Sequence, residues 1–147
     1  HRIICEVEQD PAWRTGLEAS HTPAEANTPD AICCALRRVA GLLEPAATVA
    51  YTTSGFSALR ASRERPTTPI LALTPQLTTA RRLALAWGVH PVPFEEVHDV
   101  TEMVEHAGSA AVSHGFAGPG DVLVVIGGLP FGTSGSTNLL HVARIPG

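Results

Sequence analysis

The sequence predicts an α/β fold: a three-layer sandwich with a mostly parallel five-stranded sheet, an antiparallel last strand and helices on both faces. Three observations lead there. Short apolar runs alternate with longer stretches whose apolar residues recur every three to four positions, the pattern of strand–helix units. One run, Val122–Ile126, is apolar throughout, as a strand covered on both faces must be. Gly and Pro, 13 and 12 in number, gather at the joints between these stretches.

The elements follow in chain order. His1–Pro11 places Ile3, Ile4 and Val7 on one helical face, with Pro11 as the stop. Ala12–Pro29 is rich in Thr, Pro, Ala and Glu without a period and reads as an extended connector. Residues 1–28 thus form a leading helix and connector, and 29–147 the core of a single domain spanning 1–147. Thr28 is expected as N-cap of a helix with Pro29 at N1. That helix carries Ile32, Ala35, Leu36, Val39, Leu42 and Leu43 and stops at Pro45. Ala47–Tyr51 is the first strand, and a helix from about Phe56 to Arg65 follows. Pro69–Leu73 is the second strand. Thr74-Pro75 is expected to cap a helix holding Ala80, Leu83, Ala84 and Trp87, ended by Gly88. Val89–Pro93 is the third strand. Val97–Phe116 is a long helix with Val100, Met103, Val104, Ala107, Ala111 and Val112 inward. After the Gly118–Asp121 turn come the central run, a loop over Gly127–Ser136, and a last strand over Leu139–Ile145.

Composition narrows the function. The 147 residues carry 44% hydrophobic and 16% charged side chains, so the chain can bury a core. A net charge of -4 disfavours nucleic-acid binding, and no apolar run approaches a membrane span of about 20 residues. With no signal peptide in view, Cys5, Cys33 and Cys34 are an odd set that suits a reducing cytoplasm. Cys33 and Cys34, adjacent within a helix, point in different directions, so one of them is expected to serve as a small buried apolar residue. Every basic residue is arginine. Without lysine the chain cannot itself form a Walker A loop, a lysine-dependent kinase site or a Schiff base. His1 in place of Met suggests a piece of a longer protein.

The loop Thr52-Thr53-Ser54-Gly55-Phe56-Ser57 concentrates hydroxyls where a strand hands over to a helix, the place at which α/β domains hold anions. Its second reading is a helix cap by Ser54. Gly132 and Gly135, with hydroxyl residues between and beside them, make the loop after the fourth strand a second candidate nest. Right-handed crossovers put both loops at the C-terminal sheet edge, where ligands bind if the strand order reverses. Gly55-Phe56-Ser57-Ala58-Leu59 half-matches a nucleophile elbow. Asp99 or Asp121 and His141 would complete a triad, but Leu59 stands where that turn needs glycine. Glu102, His106 and His114 allow a metal site on one helix face, or simply a solvated face. Trp13 reads equally as a partner anchor or as a loop pinned to the core.

Ordered motifs across nearly the whole chain resemble the C-terminal domain of pyruvate kinase, in its bacterial form. The matching pieces are His1-Arg2-Ile3-Ile4 with Glu6 and Glu8, Asp30-Ala31-Ile32, Tyr51-Thr52-Thr53-Ser54-Gly55-Phe56-Ser57-Ala58, and Arg63-Glu64-Arg65-Pro66 with Pro69–Thr74. Gly88-Val89, Gly120–Val125, and Gly127 with Gly132–Asn138 complete the series. The resemblance implies a parent enzyme moving phosphate from phosphoenolpyruvate to ADP with Mg²⁺ and K⁺, in a catalytic barrel domain absent from this chain. No cofactor and no catalytic residue are expected here. It also implies that the domain binds a phosphorylated allosteric effector and forms part of the interface of a tetrameric parent. The apolar last strand Leu139–Ile145, at a sheet edge, separately predicts a homodimer of the domain. Thr52, Thr53, Ser54, Gly55 and Ser57 would hold the effector phosphate, and Gly132, Thr133, Ser134, Gly135, Ser136 and Thr137 would close over it. Thr53 and Phe56 are uncharged where relatives activated by fructose 1,6-bisphosphate often carry a basic residue. That departure points to a sugar monophosphate such as ribose 5-phosphate or glucose 6-phosphate, to AMP, or to no effector at all. The alternative is a free-standing phosphosugar or nucleotide sensor built on the same domain.

Overall fold

Six helices and five strands alternate around one sheet in the computed structural model, which describes residues 2–19 and 21–147. His1 of the expected opening helix and Ser20 of the expected connector lie outside the described residues. The strands are β1 (Ala47–Tyr51), β2 (Ile70–Thr74), β3 (Val89–Pro93), β4 (Val122–Gly128) and β5 (Thr137–Arg144). Their order across the sheet is β3-β2-β1-β4-β5, the first four parallel and β5 antiparallel to β4.

The helices are α1 (Arg2–Gln9), α2 (Pro11–Ala19), α3 (Thr28–Leu43), α4 (Phe56–Arg63), α5 (Leu77–Leu83) and α6 (Val100–Ser113). Side chains alternate along each strand, so each face of the sheet buries its own cluster. On one face Val49, Leu71, Leu73, Leu123 and Val125 meet Met103, Ala107, Ala110 and Ala111 of α6. On the other, Ala50, Ile70, Ala72, Val124 and Ile126 meet Cys33 and Leu36 of α3, Ala58 and Ala61 of α4, and Leu83 of α5. The interior strand β4, between β1 and β5, is buried from Leu123 to Gly127, as its unbroken apolar run requires.

Several expected boundaries move, each for a local reason. Pro11 opens a helix as well as following one: Asp10 Oδ1 accepts from Ala12 N at 2.7 Å, and proline fits a first turn that needs no N–H. Pro11–Ala19 is therefore helical where an extended connector was expected. The N-cap of α3 is Asn27, not Thr28, because its side chain accepts from Asp30 N at 3.0 Å. Helix α5 begins two residues beyond Pro75 and stops at Leu83. Thr74 Oγ1 instead accepts from Gln76 N in the turn before it. Helix α6 begins at Val100, because Asp99 caps it by accepting from Glu102 N at 2.8 Å. It ends at Ser113, and Val112, expected inward, is exposed. Helix α4 closes at Arg63, and Arg65 adopts φ 49 in the turn that follows. Strand β4 takes in Gly127 and Gly128, and β5 starts at Thr137.

Candidate functional site

From β1 the chain runs outward through β2 to β3, then returns to the far side of β1 for β4. The strand order therefore reverses between β1 and β4, and a crevice opens beyond their C-terminal ends. A cleft of about 580 Å³ occupies that position. Its walls are the loop after β1, the loop after β4, and residues 95–100 between β3 and α6.

The first loop is shaped by its own hydroxyls and by α5. Thr52 Oγ1 accepts from Gly55 N at 2.8 Å, folding the loop back into α4. Gly55, at φ 92, caps α4 without a side chain, so the cap expected from Ser54 is not formed. Thr79 Oγ1 donates to Thr53 O at 2.9 Å, and Arg82 Nη2 to Ser54 O at 2.6 Å. The trans peptide between Thr53 and Ser54 then turns the Ser54 N–H away from α5.

The two loops touch through side chains. Ser134 Oγ donates to Ser54 Oγ at 2.7 Å, and Ser57 Oγ lies 2.5 Å from Thr137 Oγ1. Both pairs join residues 80 positions apart. The second loop is braced by Asn138, whose Oδ1 accepts from Leu129 N and whose Nδ2 donates to Leu129 O. Ser136 Oγ donates to Thr133 O. Gly132 and Gly135 take φ 84 and 73, so the hairpin turns through backbone that other residues resist. All the expected site residues except Gly55 line the cleft, and Gly55 lies beneath, as the cap of α4. Thr52, Ser57 and Thr137 are buried, Thr53, Ser54 and Ser136 half-buried, and Gly132 to Gly135 exposed.

The third wall is one that no motif signalled. It contributes Glu95, Glu96, His98 and Asp99, and no arginine appears among the described residues lining the cleft. The Tyr51 hydroxyl, also at the cleft, donates to Met103 O at 3.0 Å. Burial, then the Glu102 carboxylate, raises its phenol well above the ordinary value, so it remains a neutral donor. The only sequence sign of this wall was the acidic cluster itself, whose place depends on how far β3 and α6 splay.

Other constellations come apart. Ser57 is bonded to Thr137, Asp99 caps α6, Asp121 Oδ2 accepts from Gly118 N, and His141 is exposed on β5, so no triad forms. Glu102 pairs with His98, the His106 ring tilts against Phe94, and His114 meets His90. Among the described residues no three His, Cys, Asp or Glu side chains converge as metal ligands. Cys33 is buried and Cys34 exposed. Burial, then Glu64, pushes the Cys33 thiol up to about 12. Trp13 lines a second groove, behind the sheet's other end, with Trp87 and the buried Glu64. No helix among the described residues is long and apolar enough to cross a membrane.

Comparison with known proteins points one way. Residues 30–143 match the family described as pyruvate kinase, alpha/beta domain. A pyruvate kinase of Methylorubrum extorquens is 38% identical over 145 residues, covering 99% of this chain and 30% of that protein. One from Agrobacterium vitis is 41% identical over 145 residues, again 99% of this chain and 30% of the relative. One from Clostridium acetobutylicum is 36% identical over 141 residues, 96% of this chain and 30% of the relative. The chain thus spans about three tenths of the length of these relatives.

Proposed function

This chain belongs to the pyruvate kinase family as its C-terminal α/β domain, and from that premise we propose that it is the regulatory and oligomerisation domain of a pyruvate kinase. In this reading the parent protein transfers phosphate from phosphoenolpyruvate to ADP in the cytoplasm. On the same reading the Mg²⁺ and K⁺ of the parent enzyme act in its catalytic barrel domain. The domain itself binds a phosphorylated effector and does no chemistry.

The observation that carries the effector reading is the pairing of two hydroxyl-rich loops across the cleft at the strand-order reversal. Thr53, the Ser54 hydroxyl and N–H, and the start of α4 offer donors to a phosphate, and the Gly132–Thr137 loop covers it. Ser54 Oγ accepts from Ser134, which leaves its own proton to donate. Thr52, Gly55 and Ser57 act mainly by holding the loop in shape.

The acidic wall selects the ligand. Glu95, Glu96 and Asp99 accept hydroxyl protons but repel a second phosphate, no arginine lines the cleft, and the nearby Arg82 guanidinium is engaged by Ser54 O. One phosphate on a hydroxyl-bearing body, such as ribose 5-phosphate, glucose 6-phosphate or AMP, fits this division of charge. Fructose 1,6-bisphosphate does not. Titration calorimetry with these four ligands tests it. One monophosphate should bind saturably, weaken with Ser54→Ala and Ser57→Ala, and outcompete the bisphosphate. Absence of saturable binding by any of them would overturn the effector reading. Turnover of phosphoenolpyruvate and ADP by this chain would overturn its non-catalytic role.

A further inference from the structure

His90 and His114 are 24 positions apart in the chain, yet their rings meet. His90 is on β3 and His114 is the residue that closes α6. His90 Nε2 stands 3.3 Å from His114 Nδ1, the ring centroids are 5.3 Å apart, and both residues are exposed. The Phe116 ring backs His90 at 5.1 Å between centroids. Two neutral imidazoles can share one proton across such a gap. The same gap has a second meaning. Two nitrogens each about 2.0–2.1 Å from a tetrahedral ion stand roughly 3.3–3.4 Å apart.

We propose that His90 and His114 form a two-histidine site for a borderline transition-metal dication such as Zn²⁺, Ni²⁺ or Cu²⁺. Neutral imidazole suits these ions, whereas Mg²⁺ prefers oxygen and keeps its water. The protein supplies two ligands, His90 Nε2 and His114 Nδ1, and solvent fills the remaining positions because the pair is exposed. Exposed rings need only a small rotation to aim both lone pairs at one point. The remaining nitrogens, His90 Nδ1 and His114 Nε2, then carry the ring protons.

Such an ion would staple β3 to the end of α6. These two elements flank the segment 94–99, which supplies the acidic wall of the cleft. Because the ion binds the folded pair and not the unfolded chain, it stabilises the fold and steadies the wall. The site is independent of the effector reading, because none of its ligands lines the cleft.

Zinc chloride titration by calorimetry, with thermal unfolding in parallel, provides the test. One Zn²⁺ should bind per chain and raise the unfolding midpoint, and EDTA should reverse the rise. His90→Ala and His114→Ala should each weaken binding by at least the roughly 10–100-fold typical of losing an outer-shell partner. The double variant should be no worse than either single one, and His98→Ala, which removes a different exposed imidazole, should bind as the parent does. Mg²⁺ should produce no shift. No zinc binding, or binding that survives both single substitutions, overturns the proposal. So does loss of binding on His98→Ala.

Discussion

Gly128 sits at the end of β4, where the register with β5 slips and the chain enters the cleft loop. A Cβ built there would meet Ser136 Oγ and lie 2.6 Å from Ser136 O. Its need for glycine is steric. Gly128→Ala should push the Ser136 segment away and cost about 1–3 kcal/mol of stability, as overpacking does. It should also weaken effector binding, which calorimetry on the variant would read. Glu102 offers a second residue-level test. The His98 backbone N–H donates to its Oε2 at 2.7 Å, and this bond is the main reason its carboxyl lies below the ordinary 4.5. The His98 ring adds less. A folded value below the unfolded one favours the carboxylate. The resulting stability is complete above about pH 4.5 and is lost as pH falls through the lower, folded value. An NMR titration should place the Glu102 midpoint below 4.5 and keep most of that depression in His98→Ala, whose backbone donor remains. A return to 4.5 in that variant would contradict the backbone cause.

Between elements, the joint most exposed to a single change is the one between α3 and α4. Asp30, 0% exposed in the first turn of α3, pairs with Arg63 at 3.0 Å and with Arg60, and accepts from Glu25 N at 2.8 Å. Removing that carboxylate leaves two guanidinium groups and a backbone N–H without their partner. Asp30→Ala should cost about 3 kcal/mol, the lower end for a broken buried pair, because both arginines are partly exposed. Urea unfolding would show a lower midpoint at an unchanged slope. Local pattern served well for elements with a buried face: β1 and β3 lie at their expected residues, and α3 at its expected length. It failed where two polar residues competed for one cap. Asn27 displaced Thr28, and Asp99 with Glu102 started α6 three residues later than its apolar period suggested.

At the scale of the whole molecule, β5 closes one side of the sheet and leaves its outer edge free to pair. Val142 on it is 44% exposed. Two copies joined along β5 by a two-fold axis would extend the sheet across the pair. The chain should therefore sediment as a homodimer, and Val142→Glu should shift it toward monomer. A monomeric mass for the unaltered chain at high concentration would remove β5 as an assembly surface.

What the sequence determined by itself was the order of the strands and of every helix but α2, the family, and the two loops that meet at the cleft. These follow from signals carried locally: apolar period, glycine and proline at the joints, and hydroxyl clusters after strands. The strand-order reversal then brought Ser54 to Ser134 and Ser57 to Thr137 across 80 residues, as the crossover rule leads one to expect. Tertiary structure alone decided three other matters. It turned residues 95–99 into an acidic cleft wall, set His90 against His114, and buried Asp30 between two arginines. Each depends on the distance and angle at which separate elements pack. No local period encodes that geometry, because it is the shared outcome of every side chain in the two cores on either side of the sheet.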